Sequence, residues 1–306
     1  MQRVIVTGAN GFIGSGLLRE LSSAGYEIYA VVRSPASDLR FVANLDGVHF
    51  VYCEMSQYES LDKMLPEGPY DALYHLAWEG AMDADRANAF MQLENCKNTL
   101  AVALASKRLG CKKFIATGTI TEFVAHESIE KNYVAQNVTY AIAKQYTHAL
   151  LNVLCNMNDI RLVWAVMANT FGVGKPVANI IFNLLNALID NEETAFTRAE
   201  QPYDCIFLED AARALRLLGE CENHYSTYLV GSGQPRILKD YLLSAANIVA
   251  PSRIIGLGKR PEDRVVFRRE WFNNSALRED TNFEPAYTFE EGIQITANWL
   301  RQEKGK

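Results

Sequence analysis

Short runs of consecutive apolar residues alternate along the chain with segments in which apolar residues recur every three or four positions. Unbroken apolar runs are typical of strands buried on both faces of a sheet, and the wider spacing is typical of covering helices. The pattern predicts strands at Val4–Val6, Ile28–Val32, Val48–Tyr52, Ala72–Leu76, Phe114–Ala116 and Leu162–Val166. It predicts helices at Phe12–Ala24, Leu61–Leu65, Ala87–Leu109 and Tyr140–Met157. This alternation indicates an α/β fold with a doubly wound parallel sheet.

The alternation becomes less regular after residue 170. Helices are predicted at Asn179–Ile189, Lys239–Val249 and Glu290–Arg301, and short strands at Cys205–Leu208 and Tyr228–Val230. We therefore expect residues 1–168 to form the main domain, with returns to it near 204–230. Residues 169–203 and 231–306 are expected to form a smaller, mixed lobe that holds the substrate.

Composition narrows the class of protein. Of the 306 residues, 49% are hydrophobic, which is enough for a sizeable core, and the formal net charge is −6. A chain with a net negative charge is repelled by nucleic acid and by anionic membranes, so neither is expected as a general binding partner. No apolar run approaches the roughly 18 residues of a membrane span. The six cysteines and five histidines are scattered, so we expect a cytoplasmic protein with reduced thiols and no metal site.

A glycine-rich turn follows the first predicted strand and opens the first helix. It reads Thr7-Gly8-Ala9-Asn10-Gly11-Phe12-Ile13-Gly14. Glycines at this spacing permit a tight turn, close approach of a pyrophosphate and close helix packing, and the helix N-terminus attracts the phosphates. An ordinary strand-to-helix turn is the alternative. The predicted cofactor contacts here are Gly8, Asn10, Gly11, Phe12, Ile13 and Gly14.

The ends of the next two strands bear on which dinucleotide binds. Arg33 ends the second strand, where a carboxylate favours the ribose of NAD and an arginine favours the 2′-phosphate of NADP. Glu54 and Met55 end the third strand, where the adenine is expected. The sequence therefore favours NADP(H), with NAD(H) still possible and a solvated surface arginine as the alternative.

Tyr140 and Lys144 lie one helical turn apart and can share a helix face. A nearby ammonium group favours the phenolate form of a tyrosine, whose ordinary pKa of about 10 is too high for proton exchange near neutrality. The fifth strand ends in Thr117-Gly118-Thr119. We expect Thr119 to polarise a substrate carbonyl, with Thr117 as the alternative.

Together these residues resemble the extended short-chain dehydrogenase/reductase family, in its nucleotide-sugar branch, over nearly the whole chain. Further matching segments are His75-Leu76-Ala77, Asn169-Thr170-Phe171-Gly172, Phe207 to Ala214 and Arg260-Pro261-Glu262-Asp263. The resemblance implies a Rossmann-type fold and a catalytic trio of Thr119, Tyr140 and Lys144. It implies further cofactor contacts from Leu76, Ala77, Thr117, Tyr140, Lys144 and Ala168. The substrate contacts it implies are Thr119, Asn169, Asn179, Tyr203 and Arg260. Trp78, which follows His75-Leu76-Ala77, is a further predicted substrate contact, with a plain loop aromatic as the alternative.

The chain departs from the family pattern at three places. Tyr203 stands where a second diphosphate-binding arginine is usual, with Arg198 five residues earlier. Val166 replaces an arginine after the sixth strand, and Phe123 replaces a tyrosine. These changes leave the expected cofactor chemistry intact. They bear on whether the substrate is a nucleotide diphosphate.

The resemblance implies hydride transfer, and two features favour one reaction. The Asp-Glu pair of the dehydratases is absent from Thr119-Ile120-Thr121-Glu122, and Arg33 favours NADPH. We expect a reductase of a keto-sugar, in particular a nucleotide-linked 4-keto-6-deoxyhexose. The alternatives are a nucleotide-sugar 4-epimerase with tightly bound NAD, a reductase of a non-sugar ketone and a catalytically idle NADP-sensing protein. The helices Ala87–Leu109 and Tyr140–Met157 are expected to pair with their copies in a homodimer.

Overall fold

The computed structural model describes residues 2–130, 136–174, 179–262 and 267–305. Its strands are β1 Arg3–Thr7, β2 Glu27–Val32, β3 Val48–Tyr52, β4 Ala72–His75, β5 Phe114–Thr119, β6 Leu162–Met167, β7 Asn169–Phe171, β8 Pro202–Tyr203, β9 Cys205–Phe207, β10 Thr227–Val230 and β11 Arg236–Ile237. Its α-helices are α1 Phe12–Ser23, α2 Ala89–Arg108, α3 Glu122–Glu130, α4 Gln136–Met157, α5 Ile180–Ile189, α6 Leu208–Glu220, α7 Leu238–Val249, α8 Ser275–Thr281 and α9 Phe289–Glu303. Short 3₁₀ helices span Met55–Lys63, Asp83–Ala87 and Arg269–Phe272.

A parallel sheet of seven strands, in the order β10-β6-β5-β4-β1-β2-β3, forms the centre of the protein. The strand order reverses at β1, because β2 and β3 extend the sheet on one side and β4, β5 and β6 on the other. In open parallel sheets, ligands bind at the carboxyl ends of the strands beside such a reversal. The predicted Rossmann-type fold is confirmed.

Each face of the sheet is covered by helices, and alternating strand residues supply the two cores. In β1, Val4 and Val6 point to the face covered by α1 and α6, while Ile5 points to the face covered by α2 and α4. Successive side chains of a strand point to opposite faces, so both must be apolar when both are covered. This explains the unbroken apolar runs in the sequence.

A third core lies in the C-terminal part of the chain, where α5, α7 and α9 pack together around Phe182, Leu242 and Ile293. Two small sheets, β7 with β9 and β8 with β11, connect this region to the main sheet. Near residues 208–230 the chain lies against the main sheet again, as α6 packs on α1 and β10 pairs with β6.

Several elements differ from the sequence prediction. The helix predicted at Leu61–Leu65 is wrong, because a 3₁₀ helix occupies Met55–Lys63 and ends before Leu65. No helix is predicted at α3, α6 or α8, although Glu209 and Asp210 in the first turn of α6 are typical of a helix start. Among the described residues, no helix is both long and apolar enough to span a membrane.

Candidate active site

The turn between β1 and α1 packs so closely that two of its glycines have no room for a side chain. Gly8 has a φ of +68°, and a Cβ on it would lie 2.6 Å from the backbone nitrogen of Ala77. A Cβ on Gly14 would lie 2.1 Å from the carbonyl oxygen of Gly8. The turn, the start of α1 and the segment after β4 therefore form one tightly packed unit.

The start of α1 is open to an anion. Its N-cap is Gly11, and no side chain of the described residues caps it. The first backbone N–H groups of the helix are therefore available to a ligand, and the helix dipole adds partial positive charge there. The Asn10 side chain donates a hydrogen bond to the carbonyl oxygen of Asp38, 3.2 Å away. A dinucleotide pyrophosphate fits this arrangement of a close backbone turn and free N–H groups.

Arg33, at the end of β2, is paired across the turn with Glu79, which follows β4. The guanidinium nitrogen and the carboxylate oxygen are 2.9 Å apart, and the two side chains are 64% and 49% exposed. Because β1 lies between β2 and β4, the ion pair spans the carboxyl end of β1. Asn95 holds Glu79 in place, accepting from its backbone N–H and donating to its carbonyl oxygen, each at 2.8 Å.

Glu54 and Met55 lie at the end of β3, where the adenine is predicted. Glu54 is exposed, and its backbone N–H donates to the side-chain oxygen of Gln57 at 3.2 Å. Met55 begins the 3₁₀ helix and is half-buried. Their contact with adenine stays a prediction.

Tyr140 and Lys144 lie on the same face of α4, with exposed fractions of 7% and 5%. The Lys144 Nζ donates to the carbonyl oxygen of Thr117 at 2.8 Å and lies 3.7 Å from the centre of the Trp78 ring. Trp78 also packs edge-on against Tyr140, with ring centres 6.0 Å apart. The structure therefore brings the predicted pair together with Thr117 and Trp78.

Thr119 lies at the end of β5 on the same side of the sheet as this pair. Its hydroxyl is 3.1 Å from the hydroxyl of Thr121, and it also interacts with the Tyr140 phenol. Thr117 donates only a long hydrogen bond, 3.5 Å, to the carbonyl oxygen of His75. The geometry favours Thr119 as the hydroxyl partner of Tyr140, while its catalytic role stays a prediction.

Burial disfavours the charged forms of both members of the pair. It raises the pKa of Tyr140 to about 12, although the positive charge of Arg86 opposes the change. Burial also lowers the pKa of Lys144, and the negative charge of Glu122 opposes that change. A further positive charge next to the phenol would bring its pKa back toward neutrality.

Glu122 is a buried carboxylate near Tyr140 and Lys144 that sequence reasoning did not assign to the site. Its exposed fraction is 5%. One carboxylate oxygen accepts from the Thr119 backbone N–H at 2.6 Å, and the other accepts from the indole N–H of Trp164 at 3.1 Å. Burial raises the Glu122 pKa, with the charge of Lys144 acting in the opposite direction. The detectable sequence signal was a lone glutamate within the apolar segment from Ile120 to Ala125.

His75 has a structural role at the edge of the site. Its Nδ1 lies 2.8 Å from the Thr7 hydroxyl and its Nε2 lies 3.1 Å from the Thr99 hydroxyl. The Thr99 hydroxyl donates to the carbonyl oxygen of Asn95, so it accepts from Nε2–H, and Nδ1 accepts from Thr7. Burial lowers the His75 pKa to about 3. The neutral ring therefore links β1, β4 and α2.

Two predicted substrate contacts, Asn169 and Asn179, hold backbone in place. The Asn169 amide donates to the carbonyl oxygen of Asp204 at 3.1 Å. Asn179 caps α5, accepting from the Phe182 N–H at 2.9 Å and donating to the carbonyl oxygen of Thr170 at 3.1 Å. Their contact with a ligand stays a prediction.

The remaining predicted contacts lie in or beside the C-terminal region. Tyr203 is half-buried, pairs with Arg236 between β8 and β11, and packs edge-on against Phe267. Arg260 is exposed, and its backbone N–H donates to the carbonyl oxygen of Phe196. Ala168 is buried at the end of β6, where its N–H donates to the carbonyl oxygen of Val230. Their ligand contacts stay predictions.

The fold and the site define a nicotinamide-dinucleotide α/β enzyme with a buried tyrosine–lysine pair. A family model described as "NAD dependent epimerase/dehydratase family" matches residues 4–231, and the chain belongs to this family. The predicted resemblance to the extended short-chain dehydrogenase/reductases and the predicted enzyme class are confirmed.

Several known proteins similar to the chain align over nearly its whole length. A dTDP-glucose 4,6-dehydratase of Xanthomonas campestris is 25% identical, covering 96% of this chain and 92% of that protein. A CDP-abequose synthase of Salmonella typhimurium is 24% identical, covering 95% and 96%. The solved structure of a UDP-glucose 4-epimerase from Thermotoga maritima, with UDP-glucose, superposes with a TM-score of 0.83 at 20% identity, covering 99% of this chain and 100% of that one. The structural match confirms the fold, and the two sequence relatives agree with the family assigned by the family model.

We predict that Glu122 compensates the charge of Lys144. In Glu122→Gln the Lys144 pKa should fall further below its unfolded value of about 10.4, since the nearby negative charge is lost. Between the folded and unfolded pKa values the unfolded state binds more protons, so stability rises with pH in that window. The unfolding free energy of the variant should therefore rise more steeply than that of the wild type below about pH 7, and the two should rise in parallel from about pH 7 to 10. Each tenfold loss of proton affinity at Lys144 corresponds to about 1.4 kcal/mol of unfolding free energy.

Chemical denaturation at several pH values measures this difference. Glu303→Gln removes an exposed carboxylate on α9 and serves as the control, with the pH dependence of the wild type. Identical curves for Glu122→Gln and the wild type would show that Glu122 does not act on Lys144.

Proposed function

We propose that the protein is an NADP(H)-dependent reductase of a keto-sugar, specifically a nucleotide-linked 4-keto-6-deoxyhexose. The observation that carries the proposal is Arg33, an exposed guanidinium at the end of β2, where the 2′-phosphate of NADP would lie. Ile120 and Thr121, in place of an Asp-Glu pair after Thr119, argue against a dehydratase. A cofactor that exchanges with solution as NADPH favours net reduction.

The buried groups have separate roles in this proposal. Tyr140 donates a proton to the carbonyl oxygen, and Thr119 orients that oxygen by a hydrogen bond. Lys144, fixed by the carbonyl of Thr117, lowers the phenol pKa and holds the nicotinamide ribose. When bound, the reduced nicotinamide supplies the hydride to the carbonyl carbon. Trp78 covers the pair and keeps water from it.

The substrate class is supported by the relatives. Their names include a dTDP-linked glucose as substrate and a CDP-linked sugar as product, and both proteins align with nearly the whole chain. In this proposal residues 1–168, with the returns near 204–230, bind the dinucleotide. Residues 169–203 and 231–306 bind the nucleotide sugar, with Arg260 and Tyr203 among the contacts.

A nucleotide-sugar 4-epimerase is the second candidate, and the Arg33–Glu79 ion pair favours it. A carboxylate that neutralises Arg33 leaves less positive charge for a 2′-phosphate, which suits NAD. The paired side chains are exposed, and such pairs contribute only about 0–1 kcal/mol, so a phosphate can compete for Arg33.

We also propose a homodimer formed through α2 and α4. These helices pack against each other, and each has exposed apolar residues. Phe90 on α2 and Met157 on α4 are 82% and 80% exposed, and Leu93 and Val153 are exposed as well. A pair of helices with this much apolar surface fits a second copy of the same pair.

Incubation with NADPH and a 4-keto-6-deoxyhexose linked to dTDP, CDP, GDP or UDP tests the reductase proposal. We expect NADPH oxidation with at least one of them. Tyr140→Phe should lose turnover by orders of magnitude, about 10²-fold or more, while NADPH affinity is retained, because only proton donation is removed. Tightly held NAD released on denaturation, with no NADPH oxidation, would support the epimerase. Full turnover in Tyr140→Phe would refute the role of the phenol.

Cofactor preference is predicted to depend on Arg33 and Glu79 in opposite directions. Arg33→Gln should weaken NADPH binding about tenfold or more by removing a charge-assisted contact with phosphate. Glu79→Gln should tighten it a few-fold, about the value of one exposed ion pair, by removing the competitor. Fluorescence titration measures both, and NADH, which has no 2′-phosphate, is the internal control. Unchanged NADPH affinity in Arg33→Gln would contradict the NADP assignment.

Light scattering is predicted to give a mass near twice that of the 34.3 kDa chain. Val153→Glu should yield the monomer, because it places a charge in the apolar face. Ile254→Glu, at a residue 96% exposed outside α2 and α4, should leave the dimer intact. A monomeric wild-type protein would exclude the dimer.

A further inference from the structure

Arg86 places its guanidinium group over the ring of Tyr140. It lies on the 3₁₀ helix Asp83–Ala87, which packs against α4. The guanidinium carbon is 5.0 Å from the centre of the Tyr140 ring. Arg86 Nε donates to the carbonyl oxygen of Ala81 at 2.6 Å, so the direction of the side chain is set by the loop after β4. The charge is therefore held beside the proposed proton donor.

Within the described parts of the chain, no carboxylate forms an ion pair with Arg86. Two arginines of the C-terminal region differ in this respect, because Arg198 is paired with Glu262 and Arg236 with Glu290. Arg86 is half-buried, and only its Nε has a hydrogen-bond partner among the described residues. A partly buried guanidinium with free N–H groups is a strong site for an anionic oxygen.

The positive charge of Arg86 also acts electrostatically on Tyr203, in the C-terminal region. Burial raises the pKa of Tyr203, and the charge of Arg86 opposes that change. The charge of Arg86 therefore acts on both tyrosines, one in the proposed reaction centre and the other in the proposed substrate lobe. An anion bound to Arg86 would lie near the Tyr140 phenol, whose ring centre is 5.0 Å from the guanidinium carbon.

We propose that Arg86 binds the diphosphate that joins the sugar of the substrate to its nucleotide. The proposal rests on the proposed function, which supplies a nucleotide-sugar substrate. The planar guanidinium can donate two parallel hydrogen bonds to one phosphate, and this contact would fix the distance between the phosphate and the carbonyl at Tyr140. Position 203, where the family resemblance implies an arginine, is a tyrosine in this chain. Arg86, on a different element, is a cation whose charge acts on Tyr203.

A purely structural or electrostatic role for Arg86 makes different predictions. A cation over the Tyr140 ring stabilises the phenolate, so its removal alone would change the pH dependence of turnover. A phosphate contact would instead change the affinity for the nucleotide diphosphate. The experiment must therefore measure binding separately from turnover.

Calorimetric titration of the full-length protein in the presence of NADP⁺ supplies that measurement. The probes are dTDP, CDP, UDP and GDP, with the corresponding monophosphates, and UDP-glucose compared with UDP-glucuronate. The variants are Arg86→Gln, Arg86→Lys and Arg278→Gln, an exposed arginine on α8 that serves as the control. We expect Arg86→Gln to weaken binding of the preferred diphosphate about ten- to a hundredfold, with a smaller effect on the monophosphate. Arg86→Lys should recover part of the affinity, and Arg278→Gln should match the wild type.

The outcomes separate this proposal from the one on which it rests. If the wild type binds no nucleoside diphosphate, the nucleotide-sugar substrate is wrong and the role of Arg86 falls with it. If the wild type binds one and Arg86→Gln binds it equally well, the role of Arg86 is refuted and the proposed function stands. A loss confined to UDP-glucuronate would assign Arg86 to a sugar carboxylate and would also overturn the diphosphate role. Unchanged thermal unfolding of Arg86→Gln would confirm that the affinity change is not a folding defect.

Discussion

The close contact between the glycine turn and its neighbours is the constraint on which the site depends. A single added carbon at Gly14 would lie 2.1 Å from the Gly8 carbonyl oxygen, and one at Gly8 would meet the backbone of Ala77. The contact therefore joins three elements, β1, α1 and the segment after β4, with no space for a side chain between them. It brings the free start of α1 beside the segment that contains Trp78 and Glu79. The same packing therefore positions both the uncapped start of α1 and Trp78, which packs against Tyr140 and Lys144.

The second physical theme is burial of charge. Tyr140 and Lys144 are almost completely buried, and burial alone would keep the phenol protonated and the amine neutral. The charge of Glu122 opposes the shift at Lys144, and the charge of Arg86 opposes the shift at Tyr140. Such an arrangement responds strongly to any further charge that enters the site, because electrostatic interactions are weakly screened where water is excluded. The positive ring of an oxidised nicotinamide is the charge that the proposed chemistry would bring.

The fold was largely predictable because its determinants are local and periodic. The apolar runs predicted the strands β1 to β6. The glycine turn at Gly8–Gly14 predicted the edge of the sheet at which the phosphates of a cofactor would bind. The pair Tyr140 and Lys144 was also accessible, because four-residue spacing places both on one helix face. The strand order, with β10 at one edge, depends on packing between distant segments and has no local signal.

Other parts of the site depend on contacts that a linear sequence does not display. Glu122 is distinguished only by its burial between Thr119 and Trp164, and the pairing of Arg33 with Glu79 joins residues from two different strand ends. The role proposed for Arg86 depends on its position over Tyr140. The sequence does not show that position, because the polar composition of the segment around Arg86 is typical of a surface loop. The sequence also did not predict that Asn179 caps α5. A helix cap and a ligand contact use the same side-chain atoms, so the residue type alone does not distinguish them.

Ultraviolet titration of the Tyr140 phenol tests the central claim most directly, because it needs no knowledge of the substrate. Subtracting the curve of Tyr140→Phe from that of the wild type isolates this one ionisation among the tyrosines. In the protein alone, the Tyr140 pKa of about 12 predicts no phenolate signal from this residue below about pH 10. Saturating NADP⁺ should lower that pKa by about one to three units, so the signal should appear at lower pH. An unchanged or higher pKa with NADP⁺ bound would contradict the account of Tyr140 and Lys144 as a hydride-transfer site.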